Sequence, residues 1–239
     1  FFESHNASAA LGVLQAAGYS VHISTKDALS GTQGHLCCGR TFLANGMVEQ
    51  ARQQAQELVD ALVPFAQKGI AIVGLEPSCL LTLRDEALVL GLGESAELVS
   101  QQAVLFEEFL VNELKAGKLE VLKQNLKPAE KNILLHGHCH QKAFGLMPSV
   151  LEVIQLIPQA KPQLIESSCC GMAGSFGYEA SHLDVSMQMA ELSLLPAIRQ
   201  QSDAIVVADG TSCRHQIADG AAREAIHVAK LLSDHLLRH

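Results

Sequence analysis

Ser167-Ser168-Cys169-Cys170-Gly171-Met172-Ala173-Gly174 is the stretch whose reading decides the fold, because its centre occurs twice: Cys37-Cys38-Gly39 is the earlier copy. The punctuation beyond each copy is shared. Pro64 follows Cys38 at the interval at which Pro196 follows Cys170. A short apolar run comes next (Ile70-Ala71-Ile72-Val73 or Ala204-Ile205-Val206-Val207), then a turn and Ser-Cys, ending on Cys79 and Cys213 at matched distances. A repeat whose period is about half the chain indicates two fused copies of one α/β unit, not a solenoid. The join is expected in the charged stretch from Lys118 to Lys131, giving a first repeat over 1–125 and a second over 126–239.

Working outward, the text alternates between helical and strand-like segments. Helices are expected from His5 to Ala17 (capped by Gly18), Met47 to Gln67 (kinked or divided by Pro64), Glu94 to Ala116 and Ala143 to Ile157 (interrupted near Pro148). Two more are expected from Val185 to Gln201 and from Ala222 to Leu237. Strands are expected at Tyr19–Ile23, Ile70–Val73, Ile133–Leu135, Gln163–Ile165 and Ala204–Val207, with a polar loop from Ser24 to His35. The later strands are short, apolar and β-branched, as suits parallel strands covered on both faces. The resulting fold class is α/β: two pseudo-repeated units with mostly parallel sheets. In such sheets ligands sit outside the carboxyl ends of the strands, and all seven cysteines fall there.

Composition narrows the function. With 48% hydrophobic and 18% charged residues the chain is an ordinary globular protein. A net charge of −8 argues against nucleic acid or an anionic membrane surface as the main partner. No apolar run reaches the roughly 18 residues of a transmembrane helix, and Phe1-Phe2-Glu3 is unlike a signal peptide. The start without Met, close to helical text, is that expected of a piece of a longer protein. Phosphate loop, dinucleotide fingerprint and nucleophile elbow are all missing from the sequence.

The thiols carry the chemistry. Clustered cysteines accompanied by His and Gly, in a chain unlike a small secreted domain, point to metal or redox use in a reducing compartment. In the second half Cys139, Cys169, Cys170 and Cys213 each follow a strand or strand–turn, so one end of the sheet can gather them. Four thiolates suit structural zinc or an iron–sulfur cluster. The side chains of adjacent cysteines are expected to diverge, which is awkward around a single ion, so iron–sulfur is preferred to zinc. A vicinal disulfide would be strained. The first half has three thiols, Cys37, Cys38 and Cys79, and the counterpart of Cys139 would precede Phe1. His136, His138 and His140 alternate around Cys139, so in an extended segment they face away from it and act as outer donors or proton carriers, or as ordinary loop histidines. Arg40, Arg214 and His215 adjoin cysteines and are expected to offset thiolate charge. Glu76 and Asp209 read as turn or cap residues. No catalytic residue is identified.

These strings resemble the cysteine-rich CCG domain family, which includes a subunit of heterodisulfide reductase, the iron–sulfur subunit of glycolate oxidase and the C-terminal part of FAD-linked 2-hydroxyacid dehydrogenases. The likeness is densest in His138-Cys139-His140-Gln141, in Cys169 to Glu179 and in Ala208-Asp209-Gly210-Thr211-Ser212-Cys213-Arg214. It is strongest to the C-terminal region of the FAD-linked 2-hydroxyacid oxidases. The resemblance implies an oxidoreductase component. Electrons would leave FAD on a domain or subunit outside this chain, pass through iron–sulfur centres (including a ferredoxin-like partner domain), and reach an acceptor such as a quinone. It also implies a cytoplasmic protein, or one peripheral to the inner membrane. One departure stands out: the fullest family pattern ends each copy with Cys-x-x-Cys, whereas this chain has Thr82 after Cys79 and Gln216 after Cys213. A five-cysteine cluster and disulfide reduction are therefore disfavoured, while four ligands remain compatible with a 4Fe–4S cluster or with zinc.

Overall fold

The structure is a computed structural model describing residues 3–25 and 35–237. Most of the polar loop expected between Ser24 and His35 lies outside the described residues. The chain forms two compact units, one of residues 21–109 and one combining residues 3–20 with 110–239.

In the first unit, helices α2 (Arg40–Ala44) and α3 (Val48–Ala66) precede strand β1 (Ile72–Gly74). Helices α4 (Pro77–Arg84), α5 (Glu86–Val89) and α6 (Glu94–Gln102) then lead to strand β2 (Ala103–Leu105). β1 and β2 pair in parallel, Ile72 opposite Ala103 and Gly74 opposite Leu105. The single helix expected from Glu94 to Ala116 is thus interrupted by a strand. Ala-Val-Leu satisfies either periodicity, and pairing with β1 decides the matter. Pro64 does not divide α3; it sits in the last turn of a continuous helix. The strand expected at Tyr19–Ile23 does not form: this stretch is neither helix nor strand, and its alternation serves separate contacts. Tyr19 hydroxyl donates to Glu113 within the second unit, and the His22 ring stacks on Phe65 within the first.

The second unit carries the larger sheet. Helix α1 (Ser4–Ala16) belongs to it, although it precedes the first Cys-Cys-Gly. The division from the first unit falls inside α7 (Phe106–Lys115). α8 (Glu120–Gln124) is followed by β3 (Ile133–His136), α9 (Cys139–Ala143), α10 (Met147–Ile154) and β4 (Pro162–Leu164). Helices α11 (Leu183–Glu191) and α12 (Leu194–Gln200) lead to β5 (Ile205–Ala208), α13 (Thr211–Ala221), β6 (Ala225–Ile226) and α14 (Val228–Asp234). The expected helix Val185–Gln201 is therefore two helices. α13 and β6 stand where only a turn and the start of a last helix were expected. The polar run Ser212-Cys213-Arg214-His215-Gln216 hides the periodicity of α13.

The four strands are all parallel, in the order β4-β3-β5-β6. Every residue of β3 is buried, as a central strand covered on both faces requires. On one face Leu134 of β3 and Val206 of β5, partners in register, pack with Leu194 and Ile198 of α12 and Ile217 of α13. α1 packs on α14, which in turn contacts β5. The chain leaves β3 for β4 on one side, then returns to β5 on the other. The switch point of the sheet therefore lies between β3 and β5, where the carboxyl ends splay open a crevice.

Candidate metal centre

Each cysteine of the second unit is delivered to that crevice from beyond a strand. Cys139 opens α9 just after β3, and Cys169 and Cys170 lie in the loop after β4. Cys213 is the third residue of α13, after β5. The sulfurs form a series of interacting neighbours, Cys139 beside Cys169, Cys169 beside Cys170 and Cys170 beside Cys213. All seven thiols of the chain are free.

The Cys-Cys-Gly turn explains why adjacent thiols meet instead of diverging. Gly171 has φ +96°, and a Cβ there would stand 2.1 Å from the carbonyl oxygen of Ser186 on α11. Only glycine allows this approach. The turn directs Gly171 N–H back to Cys169 Sγ at 3.2 Å, fixing the first sulfur beside the second.

Proton sharing alternates along the series. The hydrogen bond to Cys169 holds Cys139 up as a thiol, with burial adding to it, while Cys169, accepting from Cys139 and Cys170, is driven well down. Cys170 is pushed up, first by Cys169 and then by Cys213 and burial. Cys213 is pulled down by the hydrogen bond from Cys170, against burial and with help from His136 and His138. Four thiolates packed this closely would repel one another, and a cation among them would offset that repulsion.

His136 is brought into this cluster, contrary to its expected outward placement. It ends β3 in register with Ala208 and lies two residues beyond Leu134, hence on the face where Cys170 and Cys213 are packed. A ring nitrogen of His136 and the sulfurs of Cys170 and Cys213 all lie within 4.8 Å of one another. Alternation along an extended segment misjudged the group because the segment turns into α9 after His138. His138 caps that helix: its Nδ1 accepts from His140 N–H at 3.2 Å, and Gln141 Oε1 accepts from His138 N–H at 3.1 Å.

The other charged neighbours are committed elsewhere. Arg214 is buried, donating to the carbonyls of Ala208 (2.7 Å) and Asp209 (2.6 Å) and pairing with Glu3, while Arg40 pairs with Glu86. His215 Nδ1 lies 2.8 Å from Tyr178 hydroxyl. The charges of Arg214 and Arg40 are thus taken by carboxylates. Lys142, which sequence reasoning passed over, adds a minor favourable charge near Cys139. Three residues beyond Cys139 on α9, its charge favours the Cys139 thiolate. Its ammonium also donates to the carbonyls of Ser167 (2.6 Å) and Ser168 (2.8 Å), tying α9 to the Cys-Cys loop. Its spacing from Cys139 was the available signal. Asp209 does not cap the helix it precedes, whose N-cap is Gly210; it is a buried tie that accepts from Gln141 Nε2 (2.8 Å) and Val228 N–H (2.9 Å), joining α9, β5 and α14.

The first unit repeats the turn on a smaller scale. Gly39 has φ +81°, donates to Cys37 Sγ at 3.4 Å, and would place a Cβ 2.4 Å from the carbonyl oxygen of Ala51 on α3. Cys38 interacts with Cys37 and with Cys79, the third residue of α4. The bond with Cys37 draws Cys38 down, but Cys79 and burial outweigh it and leave the thiol at about 12. Glu76 caps α4 through Ser78 N–H at 3.3 Å and Ser78 hydroxyl at 2.7 Å. The positions after the third cysteines hold side chains already engaged with their own helices or neighbours. Thr82 hydroxyl donates to Ser78 carbonyl (2.8 Å), and Gln216 Nε2 donates to the carbonyl and hydroxyl of Ser186, both at 3.0 Å.

Comparison with known proteins agrees with this duplicated architecture. Residues 13–84 and 133–218, together more than half the chain, match the cysteine-rich domain family CCG, and the chain belongs to that family. It is 28% identical over 231 residues to one subunit of the anaerobic glycerol-3-phosphate dehydrogenase of Escherichia coli strain K12, covering 94% of this chain and 53% of that protein. It is 30% identical over 180 residues to D-2-hydroxyglutarate dehydrogenase of the same strain, covering 75% of this chain and 17% of that enzyme. The corresponding enzyme of Haemophilus influenzae matches at 28% over 187 residues, covering 75% of this chain and 17% of that enzyme. The chain thus spans about half the length of the first relative and a small part of the others. Among the described residues no helix is long and apolar enough to cross a membrane.

Proposed function

We propose that this chain is the electron-transfer part of a flavin-dependent dehydrogenase acting on a small hydroxylated acid or phosphate, with Cys139, Cys169, Cys170 and Cys213 holding a 4Fe–4S cluster. The observation that carries this reading is the linked series of four thiols at the switch point of a parallel sheet. The matched relatives support the redox class, since their names describe dehydrogenases. The donor set fits a cationic centre: four neighbouring sulfurs beside a buried imidazole. When bound, the cluster would supply one-electron steps between a two-electron flavin donor and an acceptor such as a quinone. This chain's own residues would hold it: Gly171 and Lys142 fix the Cys-Cys loop, and Asp209 fixes the starts of α9 and α14. Cys37, Cys38 and Cys79 offer three thiols for a second centre within the repeat over 1–125, the repeat over 126–239 holding the first.

A zinc-stabilised docking module is the second reading, favoured by compactness. One imidazole nitrogen and two sulfurs within 4.8 Å suit a single tetrahedral ion whose bonds are about 2.0–2.3 Å long. Anaerobic purification followed by metal analysis and EPR separates the two. A brown protein that bleaches on reduction and contains iron supports electron transfer. A colourless protein with stoichiometric zinc and no iron, even after attempted cluster reconstitution, refutes it.

A further inference from the structure

We propose that His136 Nε2 is itself a ligand of the second unit's centre, which is therefore a mixed nitrogen–sulfur site and not an all-thiolate one. The inference rests on the reading of that unit as a metal centre and adds to it the identity of a further donor.

The first observation is an orphaned atom. His136 is fully buried, and its Nε2 has no nitrogen or oxygen partner, its one neighbour of note being the sulfur of Cys213. A buried polar atom without a partner costs about 1–3 kcal/mol, and folds rarely retain one without a use. The second observation is the tautomer. His136 Nδ1 lies 2.9 Å from Ser167 hydroxyl, an oxygen also approached by Lys142 Nζ at 3.5 Å. This contact is made with Nδ1 as the donor, the hydroxyl oxygen having lone pairs enough to accept from both the ring and the ammonium. Nε2 then bears the lone pair. A metal-binding histidine commonly has this arrangement, the far ring nitrogen donating to an outer partner that fixes the ring.

The third observation is placement. A ring nitrogen of His136 lies within 4.8 Å of the sulfurs of both Cys170 and Cys213, and all three residues are buried. Neighbouring histidines do not compete for the role. His138 has its Nδ1 lone pair occupied by the cap of α9, and His227 has its own occupied by Ala229 N–H at 3.0 Å. Gln216, one turn beyond Cys213, is bound to Ser186. His136 is thus the donor at hand where a fifth cysteine is missing. A neutral nitrogen in place of a thiolate removes negative charge from the site, and in an iron–sulfur centre this raises the reduction potential relative to an all-cysteine set.

X-ray absorption at the edge of the bound metal, on the full chain purified anaerobically, tests the assignment. The expected wild-type spectrum contains one nitrogen scatterer inside the sulfur shell. His136→Gln should lose that nitrogen while retaining sulfur, and His136→Cys should bind metal with sulfur alone. An all-sulfur shell in the wild type, or a nitrogen that survives His136→Gln, overturns the proposal but leaves the metal centre standing. A wild-type protein that binds neither iron nor zinc after reconstitution overturns both. Should the variants fail to fold, the wild-type shell alone decides.

Discussion

The two Cys-Cys-Gly turns share their local geometry and differ in what surrounds them. In both, a glycine in the left-handed region donates to the first sulfur, and a helix carbonyl occupies the space where a Cβ would be. In both, the third cysteine is the third residue of a helix that comes after a strand. The sheets then part company. Two strands support the first site, whereas four support the second and bring Cys139 and His136 to it. Cys79 is exposed, while Cys213 is buried. Duplication therefore preserved the turn, which depends on a few residues in contact. The number of donors depends on how many strand ends converge.

The largest effect expected from this contrast is on metal content. Cys213→Ser should lower the metal retained by the second site by more than roughly tenfold, since loss of even an outer partner of a ligand typically costs 10–100-fold. Cys79→Ser should leave that metal in place. Elemental analysis of the purified variants is the check, and equal loss in both would mean that the two sites do not act separately.

Gly171→Ala and Gly39→Ala probe what the turns have in common. Each forces a side chain into the left-handed region and against a helix carbonyl at 2.1 or 2.4 Å. Strain and overpacking together should cost on the order of 3 kcal/mol at each site. Denaturant unfolding with the two alanine variants should show losses of similar size. A mild effect at Gly39 alone would break the equivalence of the turns.

The residues before the third cysteines should separate next. Asp209→Ala strands the buried donors Gln141 Nε2 and Val228 N–H, at a cost of about 2–3 kcal/mol. Glu76→Ala removes a helix cap, worth about 1 kcal/mol. Thermal melts should rank them in that order.

The smallest effect is a pH dependence confined to the second unit. Burial raises the carboxyl of Glu3, but the hydrogen bonds from Arg214 and Thr211 outweigh it and hold the group below its usual range. A depressed folded-state value means that the stabilisation is present above the unfolded carboxyl range and is lost as pH falls through the lowered one. Glu3→Gln should flatten this acid limb, by about 1 kcal/mol or less for a pair that retains solvent contact. An unchanged acid limb in that variant would show that other carboxylates set it.

Much of the site was legible because it is built at strand ends. Cys139, Cys169, Cys170 and Cys213 each come after a short apolar run, and a parallel sheet gathers the residues just beyond such runs. Gly39 and Gly171 were legible as members of the doubled Cys-Cys-Gly motif, but their close approach to a helix carbonyl was not. Other features were ambiguous by nature. Ala103-Val104-Leu105 satisfies both helix and strand periodicity, and its neighbour β1 made it a strand. The polar face of α13 concealed a helix that buries Cys213, Arg214 and Gln216. Arg214 beside Cys213 looked like a counter-charge, but proximity in sequence says nothing of Glu3, more than two hundred residues away, which takes it.

By itself the sequence determined that there are two copies of one α/β unit and that the later copy's thiols lie beyond the carboxyl ends of strands, because repeats, turns and short apolar runs act over a few residues. Cys37 and Cys38, by contrast, follow no strand among the described residues. Tertiary structure alone decided that α1 belongs with the second unit, that Lys142 ties α9 to the Cys-Cys loop and that Arg214 pairs with Glu3. It also decided that a ring nitrogen of His136 lies close to the sulfurs of Cys170 and Cys213. These are contacts between segments far apart in the chain, fixed by strand order and by which face of the sheet each side chain enters.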